Sequence, residues 1–93
     1  MRKENILKNK SFAFALRIID LYKWLQTTQK EYILSKQVLR SGTSIGAMIR
    51  ESENAASRKD FLNKLNVALK EADETMLLVG TFIAIKIFRT EFV

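Results

Sequence analysis

Glu71 and Glu74 stand three residues apart in a stretch of helical periodicity, so their carboxylates share a face and could ligate a metal or divide acid and base roles. No other acid clusters with them. The chain has no histidine and no cysteine, which removes imidazole bases, thiolate nucleophiles, disulfides, zinc centres and the Glu-x-x-His pairs of di-metal bundles. An enzyme would have to run on Glu51, Glu71 or Glu74, and solvated or ion-paired carboxylates are the simpler reading. The expectation is a protein without catalytic activity, cofactor or metal. Lack of cysteine fits a reducing cytoplasm.

The cations offer a different chemistry. Residues 1 to 40 hold nine Lys or Arg against three acids, whereas residues 41 to 93 hold seven against seven, so the whole net charge of +6 sits in the first two fifths. Such a surface attracts nucleic acid phosphates or anionic membrane. Lys3, Lys10 and Arg17 recur at steps of seven, Lys23 adjoins Trp24, and Lys36 and Arg40 lie one helical turn apart. Read functionally, Lys10, Arg17, Lys23, Lys36 and Arg40 track phosphates while Trp24 stacks on a base. Read structurally, they are solvated charges, and Trp24 seals the edge of a core.

Positioning falls to helices. There is no proline, and Gly42, Gly46 and Gly80 are the only glycines, in a 93-residue chain rich in Leu, Ile, Ala, Lys and Glu. This composition predicts one all-helical domain over residues 1–93, small enough that self-association would help it. The centre is QVLRSGTSIGAMIRES, residues 37–52, where Val38, Ile45, Met48 and Ile49 continue a stripe begun at Leu34, beside nearly bare Ser41, Gly42, Ser44, Gly46 and Ala47. Each helical glycine costs about 1 kcal/mol against alanine, so a close neighbour or local flexibility must account for the pair. Arg40, Ser44, Ala47 and Glu51 share a face, but Arg40 and Glu51 are separated by about 16 Å of helix rise and cannot pair with each other. Each must find solvent, another helix or another subunit.

The remaining elements follow in order. Residues 1–10 read as a basic arm, and Ser11 opens a helix to about residue 27. Its two apolar stripes, Phe14, Ile18, Leu21 and Leu25 beside Phe12, Ala15, Ile19 and Tyr22, are wide enough for two neighbours. A second helix is expected over about 30–54. Ser57 and Asp60 resemble a capping box opening a third helix over about 58–79, with Phe61, Leu62, Leu65, Ala68, Leu69, Ala72, Met76 and Val79 as its apolar stripe. The tail 80–93 alternates Thr81, Ile83, Ile85 and Ile87 like a strand, yet a helical continuation is the expectation. The apolar run from Met76 to Phe88 contains Lys86 and falls short of the roughly 20 residues of a membrane span. The N-terminal segment has no apolar signal region.

SFAFALRIIDLYKWL, SKQVLRSGTSIGAMIRES and SRKDFLNKLNVALKEADET together resemble the four-helix bundle family first met as reading frames in intervening sequences of bacterial 23S ribosomal RNA. That family also includes the accessory protein of diversity-generating retroelements. The resemblance covers about residues 5–75 and joins Gln37, Arg40, Ser41, Ser44, Ile45, Gly46, Glu51, Ser57, Asp60, Phe61 and Ala68 in order. It implies an antiparallel up-and-down four-helix bundle, a homopentameric ring with a basic surface and, in retroelement members, binding to nucleic acid (RNA or DNA) and to a reverse transcriptase. It brings no catalytic residues. Met48 stands where the family usually has asparagine, and after Thr75 the expected polar loop and amphipathic fourth helix give way to an apolar tail, as a truncation or frameshift would leave it. The leading functional expectation is an oligomeric bundle that binds nucleic acid; the alternative is a protein-interaction scaffold whose basic charge is incidental.

Overall fold

The computed structural model describes residues 3–92. Three helices, α1 (Lys3–Thr27), α2 (Leu34–Ser52) and α3 (Arg58–Phe92), account for the fold, with no strand among the described residues. The all-helical expectation holds, while the four-helix architecture is met only by these three. The molecule measures 53 × 21 × 21 Å. Its long axis is that of α3, since 35 residues span about 52 Å of helix.

The basic arm is not separate from α1. With no proline or glycine before Gly42, nothing stops the helix from extending back to Lys3. Ser11 lies inside it, and its hydroxyl donates to the Lys8 carbonyl at 2.9 Å instead of capping the helix. Arg2 lies outside the described residues, as does Val93 at the end of the tail.

The first turn also moves a boundary. Lys30 adopts a left-handed φ of 55°, and the Glu31 carboxylate accepts the backbone N–H groups of Ser35 at 2.8 Å and Ile33 at 3.3 Å. Glu31 thereby supplies the capping that Ile33 cannot, and α2 begins at Leu34, four residues later than its periodicity suggests. The second turn follows expectation. The Ser57 hydroxyl accepts the Asp60 N–H at 3.0 Å, and the Asp60 carboxylate reaches back to the Ala56 N–H at 3.3 Å. From Arg58 the helix runs unbroken through Gly80 to Phe92, so the alternating isoleucines of the tail are helical.

α2 is the common neighbour. It packs against both α1 and α3, whereas no Cα of α1 comes within 8 Å of one in α3 among the described residues. Ile18, Val38 and Leu78 form the centre of the core, with Leu21, Leu34, Leu39 and Val79 packed around them. α1 and α3 also meet through an edge-on contact of Trp24 with Phe82, ring centres 6.1 Å apart at 84°. Trp24 thus seals the core edge, as its structural reading had it.

Gly42 faces α1 because Ile18 fills the space a side chain would occupy. A Cβ there would lie 2.7 to 2.9 Å from three Ile18 carbons, while a Cβ at Gly46 would come no nearer than 3.6 Å to Ser11. Gly42 is therefore a close approach between helices, and Gly46 a position that tolerates a methyl. Above Ser41 the contact to α3 is polar. The Thr75 hydroxyl donates to the Glu71 carbonyl at 2.8 Å and so receives the Ser41 proton, 2.8 Å away, with both residues buried.

In urea unfolding, Gly42→Ala should lower stability by about 1–2 kcal/mol, the overpacking cost less the helical gain. Gly46→Ala should leave stability unchanged or raise it by up to about 1 kcal/mol. Equal midpoints for the two variants would contradict the assigned approach of Ile18.

Candidate nucleic-acid interface

Continuity of α1 back to Lys3 aligns what the sequence only spaced. Lys10, Arg17 and Trp24 follow one another at seven-residue steps along one helix and therefore share a stripe, with Lys23 a third of a turn away. All four are exposed. Lys36 is exposed in the first turns of α2. None of Lys10, Arg17, Lys23 or Lys36 forms an ion pair with a described acid. The cations are not gathered in a cleft; Lys10 and Lys23 alone are about 20 Å apart along the helix.

Arg40 is placed differently. Its guanidinium donates to the Glu71 carboxylate at 3.1 Å and also to that of Glu74, joining α2 to α3. Glu71 is only 17% exposed, so without Arg40 two carboxylates one turn apart would face each other with one of them poorly hydrated. The pair considered above as acid and base is thus occupied in an ion-pair cluster with Arg40. At the other end of the face Glu51 meets Lys64 of α3 at 3.5 Å. Both charges that could not reach each other along α2 find partners on the neighbouring helix.

The other residues of the central motif hold the fold. Ser41 is fully buried against Thr75, the Ser44 hydroxyl donates back to the Arg40 carbonyl at 2.6 Å, Ile45 and Gly46 are half-buried, and Asp60 caps α3. No group of three or more acidic side chains is gathered as a metal site would need, among the described residues. No described helix is long and apolar enough to cross a membrane.

The apolar pattern of α3 divides in a way its composition does not announce. Ala68, Thr75 and Leu78 are buried, whereas Leu62, Leu69, Met76 and Ile83, spaced by sevens, are exposed, Met76 by 76%. On α1, Ile18 and Leu25 are buried but Phe12, Phe14 and Leu16 face outward. Among the described residues, the second neighbour expected for the α1 stripes does not cover these outward positions. The seven-residue spacing on α3 was readable in the sequence, but only the packing of α2 tells which stripe it leaves uncovered.

These features define a small all-helical protein with exposed cations along one helix and an uncovered apolar seam along another. The family described as 23S rRNA-intervening sequence protein matches residues 3–92, and the chain belongs to it. Among solved structures, the chain is similar to a Bacteroides thetaiotaomicron protein of unknown function from the S23 ribosomal protein family. Identity is 56%, the TM-score is 0.86, and the match covers 99% of this chain and 78% of that one. No curated protein matches.

Replacing Arg40 with methionine should destabilise the fold by about 1 kcal/mol, because a half-exposed pair is screened but leaves Glu71 and Glu74 opposed. Glu71→Gln should cost less in the Arg40→Met background than alone, a coupling read from a double-mutant cycle in urea. Additive costs would show that the cluster contributes nothing as a unit.

Proposed function

We propose that this protein is a non-enzymatic, self-associating helical scaffold that binds RNA or DNA through the cations of α1 and the start of α2. The observation that carries the reading is the exposed set Lys10, Arg17, Lys23 and Lys36, none paired with a described acid, in a chain whose Glu51, Glu71 and Glu74 are engaged by Lys64 and Arg40. Cations left in this state are available to phosphates. Arg40 contributes less, since two carboxylates share its charge. Binding through dispersed cations is sequence-tolerant and releases counterions, so its signature is a steep dependence on salt. The family's description ties its members to 23S ribosomal RNA intervening sequences and accords with a nucleic-acid setting without naming a ligand.

A second reading, a protein-interaction scaffold, is favoured by the exposed seam of Leu62, Leu69, Met76 and Ile83. Apolar residues repeated every seven positions along a helix suit a second helix wound against it. Self-association, in the five-copy ring that the resemblance implies, reconciles the two readings: copies cover one another's seams and bring their basic helices together.

Fluorescence anisotropy of a labelled structured RNA should show binding that weakens steeply from low to moderate salt and exceeds an acidic-polymer control. The Lys10→Gln, Arg17→Gln, Lys23→Gln, Lys36→Gln variant should bind at least about tenfold more weakly. Its slope of log affinity against log salt should be shallower by about 0.7–0.9 for each phosphate it no longer neutralises. Unchanged affinity would sink the assignment of this surface. In sedimentation velocity, the Met76→Glu, Ile83→Glu variant should run as a smaller species than the unaltered chain; identical profiles would remove the seam from any association.

A further inference from the structure

A hollow of about 690 Å³ opens between the first half of α1 and the second half of α2, and α3 contributes no residue to it. Its size lies within the roughly 300–1,000 Å³ of small-ligand sites. Ala15, Gly46 and Ala47 leave its floor bare. The hydroxyls beside them are already spent, that of Ser11 on the Lys8 carbonyl at 2.9 Å and that of Thr43 on the Leu39 carbonyl at 2.7 Å. The floor therefore offers mostly carbon, with the two hydroxyl oxygens left only as acceptors. Phe12 borders the hollow while 64% exposed, so its ring is in water unless something lies against it. The polar capacity is at the rim, from Lys8, Asn9 and Arg50.

An apolar floor, an aromatic wall and cations at the mouth are complementary to a flat ring carrying an anion a few bonds away. We propose that this hollow seats one nucleotide of a single strand, its base against Phe12 over Ala15 and Ala47 and its phosphate on Arg50 and Lys8. Arg50 is the stronger anchor, because it pairs with no described acid whereas Lys8 already lies 3.5 Å from Glu53. The Asn9 amide can donate and accept, which holds a base edge without choosing among bases. A duplex does not satisfy the site, since its bases are stacked and paired. The proposal rests on the nucleic-acid reading above and adds a place for a base, at residues outside the α1 row of Lys10, Arg17 and Lys23.

The test compares three labelled probes by anisotropy: a short oligouridylate, an abasic ribose-phosphate oligomer of equal charge, and an RNA duplex. The unaltered chain should bind the oligouridylate about tenfold more tightly than the abasic oligomer, in line with the stacking of one base on an aromatic side chain. Ala47→Leu, which fills the hollow from an exposed helical position, and Phe12→Leu, which removes the ring but keeps an apolar group, should each abolish that preference. Both should leave abasic and duplex binding unchanged, and circular dichroism melting should show the variants folded. Equal affinity for the oligouridylate and abasic probes, or an unaltered preference in Ala47→Leu, overturns the base site while salt-dependent binding keeps the broader reading. Failure of all three probes to bind overturns both. Slower sedimentation of Ala47→Leu with unchanged oligouridylate binding would assign the hollow to a second copy of the chain and likewise overturn the proposal.

Discussion

The distance between α1 and α2 is set where Ile18 rests on Gly42. A buried isoleucine occupies the place of the missing side chain, so the two helices meet at a spacing that even a methyl group would disturb. Much of the rest depends on that approach. It brings Ile18 into the same cluster as Val38 and Leu78, and through Leu78 it links the first helix to the third, though their backbones stay apart. The core that results is small, and polar contacts at Ser41–Thr75, Arg40–Glu71 and Glu51–Lys64 continue the join of α2 and α3 beyond it. Small domains are stable by only about 5–15 kcal/mol in all, so such single contacts matter individually.

Charge is divided between these helices according to what each has to hold. Glu51 of α2 and Glu71 and Glu74 of α3 are placed against Lys64 and Arg40 and serve the join. The cations of α1 beyond Lys8 have no described acid opposite them. The surplus seen in the first two fifths of the sequence is therefore a property of the folded surface too. A field of this kind acts over about 8–10 Å at ordinary salt and favours polyanions before any specific contact forms.

Much of this was legible in the sequence, for physical reasons that differ from place to place. The all-helical class followed from the lack of breakers, and the start of α3 from Ser57 and Asp60, whose local hydrogen bonds need no tertiary information. The small-residue face at Gly42 announced a close neighbour, though not that it would be the Ile18 side chain. The start of α2 was misjudged because periodicity alone cannot see Lys30 enter the left-handed region or Glu31 act as a cap. The basic arm was misjudged because charge density says nothing against a helix. The stripe on α3 is apolar along its length, but its width fixes only how much surface is apolar, and a single neighbour buries Ala68 and Leu78 while leaving Leu69 and Met76 outside. Of the cations proposed to meet nucleic acid, the α1 row could be spaced in advance, but Arg40 could be separated from it only once α3 supplied two carboxylates.

The hydroxyl chain from Ser41 through Thr75 to the Glu71 carbonyl has a direction, and with it a consequence for how such a sequence can drift. If Ser41 becomes alanine first, Thr75 keeps its acceptor, and a later change of Thr75 to valine strands no side-chain hydroxyl. If Thr75 becomes valine first, the Ser41 hydroxyl loses its acceptor in the interior, at a cost on the order of 1–3 kcal/mol unless it turns to its own backbone. The same two substitutions are thus more easily reached in one historical order than in the other. Descendants that retain the serine while having lost the threonine should be the rarest of the four combinations.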